Sequence, residues 1–191
     1  MEFSDVIAAR RTHRQFQPSA IDDAQLQQLL SASLRGPAAG GTTPWRHDAF
    51  VGPSEVLAFW RAAWPTRPDD DQPRRLHAAA IVVFGASSET YAKRYEAPPV
   101  SGSRGGPSQW PVDFGIVDAS FSAMLFQLAA IDAGFGTWFF GFDTDAYAKA
   151  FATASDTVMI GAVALGTPEQ SNAKRRTTTV ADVVRRPVQP T

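Results

Sequence analysis

The sequence predicts a single α+β domain, on three observations. Some stretches place apolar residues at helical spacing, and others run β-branched and apolar without a break. The two kinds do not alternate in the regular beat of a parallel sheet. And the chain, with 191 residues of which 44% are apolar and 19% charged, is long enough to bury one core without staples. No repeat or linker divides it, so residues 1–191 are expected to form one domain, with 177–191 as a C-terminal extension.

The first element, "FSDVIAAR", reads as a short amphipathic helix with Ser4 as its N-cap and Asp5 at its positive end. Thr12 to Phe16 is expected to be extended, and Pro18 stops any helix. "IDDAQLQQLLSASLRG" is a helix opened by a capping box between Asp22 and Gln25. Leu26, Leu29, Leu30 and Leu34 form its stripe, and Gly36 with Pro37 ends it. "PAAGGTTPW" is a loop of small residues, "HDAFV" a short strand, and "PSEVLAFWRAAW" a helix that begins at Pro53 or Ser54.

Residues 65–75 read as an exposed turn, with Asp69, Asp70 and Asp71 solvated. "AAAIVVFGA" has the composition of a central strand buried on both faces. Residues 96–112, rich in Gly, Pro and Ser and carrying Trp110, are expected to form a lid or binding loop. "DFGIVDASFSAMLFQLAAIDAG" is apolar around most of its circumference. Asp118 and Asp132 interrupt it, so it reads as a helix buried in the domain or a subunit interface rather than a membrane span. "GTWFFGF" and "TVMIGAVALG" are strands, joined by a helix at "TDAYAKAFA".

Charge narrows the function. There are 18 Lys plus Arg against 19 Asp plus Glu, so no broad nucleic-acid surface is expected. There is no cysteine, so thiol chemistry is excluded and any electron transfer must use a bound cofactor. The first residues carry acids and no long apolar run, unlike a signal peptide, and a cytoplasmic location is expected. No phosphate-binding P-loop occurs. "GFGTWFFG" has Phe139 where a dinucleotide fingerprint needs its third glycine, and "SGSRG" has Ser101 where a nucleophile elbow needs its first. His13, His47 and His77 lack metal-ligand spacing.

What remains is local positive charge. Arg10, Arg11 and Arg14 fall within five residues, with Thr12 between them. Cations at a helix C-terminus explain Arg10 and Arg11 by their effect on the dipole. They explain Arg14 less readily. Arginine beside a hydroxyl also suits a phosphate, and spacing alone leaves both readings open. A second basic group, Lys174, Arg175 and Arg176, follows the last strand. Gly134, Gly136 and Gly141 around "TWFFGF" suggest close approach by a flat group or by another backbone.

Four segments in order, "ARRTHRQF", "GPAAGGTTPW", the long apolar helix running into "DAGFGTWFFGF", and "MIGAVALGTPEQSNAKRR", resemble the flavin-dependent nitroreductase family. The resemblance implies a central mixed or antiparallel sheet flanked by helices, an intertwined homodimer, and FMN bound between the subunits. Carried onto this chain, Arg10, Arg11 and Thr12 hold the phosphate and ribityl end, and Lys174 and Arg176 close on the phosphate. Arg14 reaches the N1/O2 edge, with Arg74 as a second candidate. Pro37, Ala38, Ala39 and Gly40 line the flavin from the partner subunit. The amides of Phe140 and Gly141 face N5, and Phe139 lies against the ring.

Where members commonly have Ser, Asn and Gln, this chain has Ala38, Gly41 and Thr43, so Thr42 or Thr43 is expected to supply the missing polar contacts. A deazaflavin is the alternative cofactor. The implied chemistry is ping-pong, NADH or NADPH giving hydride to the flavin and a nitroaromatic or quinone-type small molecule removing it. A flavin-binding protein without turnover is the alternative function. No catalytic side chain, metal, nucleic acid or membrane is implied.

Overall fold

Ala80–Ser87 (β3) is buried at every position, which its unbroken run of small and β-branched apolar residues requires of a strand covered on both faces. It pairs antiparallel with Trp45–Val51 (β2) on one side and Thr157–Pro168 (β5) on the other. Gly136–Phe140 (β4) pairs antiparallel with the far edge of β5. Phe16–Gln17 (β1) pairs with the C-terminal end of β5, through Phe16 opposite Pro168. The order β4–β5–β3–β2 is an antiparallel sheet in an α+β domain. The computed structural model describes residues 1–64, 76–96, 110–170, 178 and 183–184.

Helices cover both faces of the sheet. Phe3–Ala9 (α1), Asp23–Ser33 (α2) and Phe114–Asp132 (α5) lie on one face, and Gly52–Ala63 (α3) and Thr144–Phe151 (α6) on the other. Strand alternation divides the core accordingly. Val82, Phe84, Val163 and Leu165 meet Leu26, Leu29 and Phe126, whereas Ile81, Val83, Ala162 and Ala164 meet Val56, Phe59, Trp60 and Tyr147.

The capping box at Asp22 and Gln25 is present in both directions. α3 carries Pro53 in its first turn, as its sequence requires. Three details differ from the sequence expectation. α1 starts at Phe3 with Glu2 at the N-cap and no side-chain cap, so Ser4 lies inside the helix. Leu34 is the C-cap of α2 and 49% exposed, so the stripe ends at Leu30. And Ser88–Glu96 (α4) is a helix without an aliphatic stripe in its sequence.

α5 is long and apolar enough to cross a membrane by length and composition, and half of its most apolar window is buried in this domain. Its inward polar groups are bonded to α4 and to the sheet. Asp118 accepts from the Tyr91 hydroxyl, Ser122 Oγ lies 2.9 Å from His47 Nε2, and Gln127 Oε1 lies 3.5 Å from Thr137 Oγ1. Buried polar groups persist in a core when they are partnered in this way.

Candidate functional site

The arginine segment is tied to the sheet by its backbone. α1 ends at Ala9, and Arg10 is its C-cap. Thr12 then forms an isolated parallel bridge with Thr137, and His13 N–H donates to the Thr137 carbonyl at 2.9 Å. This sets Arg10, Arg11, Thr12 and Arg14, all exposed, along the outer edge of β4. Among the described residues none of the three guanidinium groups has a carboxylate partner, although 19 acids are available in the chain. Exposed arginines clustered without acids leave a local positive field. His13 registers it: its pKa is lowered by burial first and by the Arg11 charge second.

β4 itself offers two unlike faces. Trp138 and Phe140 point into the α3 core, 7% and 6% exposed, so Phe140 can meet a ligand through its backbone alone. Phe139 points the other way and is 42% exposed. Its ring is seated over Gly161 of β5, where an added Cβ would lie 2.6 Å from Phe139 Cζ. Gly141 has open space where a side chain would stand. A flat group has room beside Phe139 and Gly141, and forked donors stand on the neighbouring strand edge. The residues present therefore fit a phosphorylated flavin. Gly136 is different: an added Cβ would strike the side chains of Pro168 and His13, so the close approach there is made by side chains of the chain itself and not by a ligand or another backbone.

The second half of the expected site lies elsewhere. Pro37, Ala38 and Gly40 precede β2 in a loop with a 3-10 turn at Ala39–Gly41. This loop reaches the sheet where Ser87 N–H donates to the Pro44 carbonyl, beside the start of β5, while the arginines sit beside its end. Four strand spacings separate the two across the sheet, roughly 19 Å, and the register separates them by roughly 23 Å along it. They occupy diagonally opposite corners of one chain. Lys174, Arg176 and Arg74, with most of the 96–112 segment, lie outside the described residues.

The helix missed in the sequence holds this loop. Arg94 Nε of α4 donates to the Gly40 carbonyl at 3.1 Å. Gly40 has φ +66°, and an added Cβ would stand 3.1 Å from the Tyr95 hydroxyl. The Tyr91 hydroxyl bonds with both the Thr42 side chain and the Asp118 carboxylate, and its pKa is raised, by burial first. Trp45 Nε1 donates to the Asp118 carbonyl at 3.3 Å. Thr42 is thus turned toward α4, which leaves Thr43, exposed, as the hydroxyl facing outward. The sequence signal for α4 was faint but present: Tyr91 and Tyr95 are one turn apart, and Glu89 pairs with Lys93 at 2.8 Å.

An antiparallel α+β domain with a basic segment and a glycine-bounded strand at its edge defines a class, and comparison with known proteins gives the family. The nitroreductase family profile matches residues 7–167. The chain belongs to the nitroreductase family, a family of oxidoreductases. Among solved structures, its fold is similar to a nitroreductase family protein from Clostridium novyi NT, at 22% identity and TM-score 0.68, over 92% of this chain and 89% of that one. It is similar to CLA-ER, an enone reductase of gut-bacterial fatty acid saturation, at 19% identity and TM-score 0.76, over 96% and 97% of the chains. A Streptococcus pneumoniae nitroreductase family protein matches at 12% identity and TM-score 0.75, over 97% and 100%. No curated protein sequence matches the chain significantly.

Proposed function

We propose that this protein is an FMN-dependent oxidoreductase that works as a homodimer, taking electrons from NADH or NADPH and passing them to a small nitroaromatic or quinone-type acceptor. The observation that carries this reading is the set of exposed arginines, Arg10, Arg11 and Arg14, fixed along β4 without a carboxylate partner among the described residues. Forked charged donors of this kind match a phosphate. Bound there, the flavin supplies a hydride-accepting centre at N5. The protein would supply placement: Arg10, Arg11 and Thr12 at the phosphate and ribityl end, joined by Lys174 and Arg176, and Arg14 at the N1/O2 edge, where a positive charge favours the reduced, anionic ring.

The diagonal separation of the two half-sites supports a dimer. A cofactor that touches Phe139 and also Pro37, Ala38, Ala39 and Gly40 must take one group from a second copy. Apolar surface for such a contact is exposed on α1 and α5, through Phe3, Ile7, Ile116, Phe121 and Met124.

The test is an absorption spectrum of the purified protein, recorded without oxygen before and after NADPH and then NADH, with the molar mass measured in the same sample. A flavin spectrum that bleaches, on a particle of twice the chain mass, is expected. A flavin that stays oxidised with both nucleotides would turn the reading to a carrier without turnover. A deazaflavin spectrum would correct the cofactor, and a colourless monomer that takes up no added FMN would end the proposal.

A further inference from the structure

Trp138 on β4 faces Trp60 on α3 with ring centroids 5.9 Å apart and planes 26° from parallel. Trp60 faces Trp64, one helical turn on, at 5.6 Å and 20°. Phe140 fills the flank, stacked on Trp60 at 5.0 Å and on Trp64 at 6.1 Å. Among the described ring pairs every stacked one belongs to this group, and the rest of the aromatic core is tilted or edge-on. Both arrangements are ordinary for packing. What is particular is that three indoles, the readily oxidised side chains of a protein without cysteine, stand face to face in one file.

Two further observations give the file a direction. Trp138 and Trp60 are 7% and 8% exposed, whereas Trp64 lies at the margin of the core, partly exposed. A positive charge is costly in an apolar interior and is better tolerated near water, so it runs toward Trp64. The Trp60 indole N–H is buried and has no acceptor among the described residues. A radical cation at Trp60 therefore keeps its proton and is not trapped there as a neutral radical. At its inner end the file begins one residue from Phe139, on the opposite face of the same strand.

We propose that Trp138, Trp60 and Trp64 form a relay that carries an electron hole from the flavin strand to the α3 surface. This inference rests on the reading that FMN lies against β4. The oxidant is oxidised FMN excited by blue light. It takes one electron from Trp138 and is left one electron reduced, while Trp138 becomes a radical cation. Trp60 returns an electron to Trp138, and Trp64 returns one to Trp60. Trp64 ends one electron short and releases its indole proton to water. One electron moves per photon, and no other bond breaks. The activity is light-driven reduction of the bound flavin without an added donor, ending on a residue that soluble reductants can reach.

The experiment uses the full chain loaded with FMN, its flavin content measured after dialysis, without oxygen or added donor. Time-resolved absorption after a blue flash is compared for the wild type, Trp138→Phe, Trp60→Phe and Trp64→Phe. The wild type is expected to form a long-lived neutral tryptophan radical. Trp138→Phe and Trp60→Phe lose it, and Trp64→Phe keeps the initial electron transfer but loses the long-lived signal to recombination. Trp64, at the core margin, decides the matter if Trp60→Phe does not fold. Equal long-lived yields in FMN-loaded wild type and Trp64→Phe would overturn the relay and leave the flavin reading standing. A chain that retains no FMN would overturn both.

Discussion

The backbone N–H of His13 donates to the carbonyl of Thr137 at 2.9 Å, and through this bond the arginine segment is fastened to β4. The fit behind it is tight, because Gly136 meets both the His13 ring and Pro168.

Gly136→Ala tests that fastening. The added Cβ would stand 2.7 Å from Pro168 Cβ and 3.0 Å from His13 Cγ, so the arginine segment must shift outward. Overpacking of this kind destabilises by about 1–3 kcal/mol. Urea unfolding is expected to show that loss, and fluorescence titration is expected to show weaker FMN binding in the protein that remains folded.

Arg14→Ala separates binding from folding. Arg14 is exposed and has no carboxylate partner among the described residues, so its removal should leave the unfolding midpoint in place. A charged hydrogen bond contributes about 1.5–3 kcal/mol. FMN affinity should fall by roughly ten- to a hundredfold. Unchanged FMN affinity would remove Arg14 from the site.

Arg94→Ala addresses the other corner of the sheet. It deletes the donor to the Gly40 carbonyl and leaves the core untouched. Flavin retention after dialysis should drop while circular dichroism is unaltered. Gly40→Ala should do the same and also destabilise, since φ +66° strains any side chain there.

A pH dependence follows from His47. Burial holds its pKa below the ordinary value of 6.5, against smaller upward pulls from Arg46 and Asp48. Its Nδ1 is buried and makes no well-formed hydrogen bond among the described residues, so the weak pull of the Arg46 backbone does not offset the cost of burying a second ring proton. Between the lowered pKa and 6.5 the unfolded chain binds a proton that the folded chain refuses. Stability is therefore complete above 6.5 and declines as pH falls through that window. His47→Gln should flatten the slope of unfolding free energy between pH 7 and 5, leaving the contribution of His13, which is shifted in the same direction.

The sequence displayed the fold through its strongest patterns. The Asp22 capping box, the unbroken run of β3 and the apolar circumference of α5 each state a local structure that the tertiary fold keeps. α4 was hidden because its inward side is made by two tyrosines rather than an aliphatic stripe, and because Tyr91 is held by Asp118, which lies 27 residues away in the chain. The arginines advertised a site by composition. That Thr42 turns toward Tyr91 could not be read from the sequence, since it depends on a helix that the pattern did not announce. Gly136 does mark a close approach, but the approaching atoms belong to the side chains of Pro168 and His13, which only the register of β1 and β5 brings there.

The diagonal placement of the arginines and the Pro37–Gly40 loop has a genetic consequence. In the proposed dimer each cofactor draws one corner from each chain. Two chains crippled at different corners, one at Arg14 and one at Gly40, then form mixed dimers with one doubly damaged site and one wholly intact. Coexpressed, two silent alleles should complement each other, whereas two alleles damaged at the same corner should not.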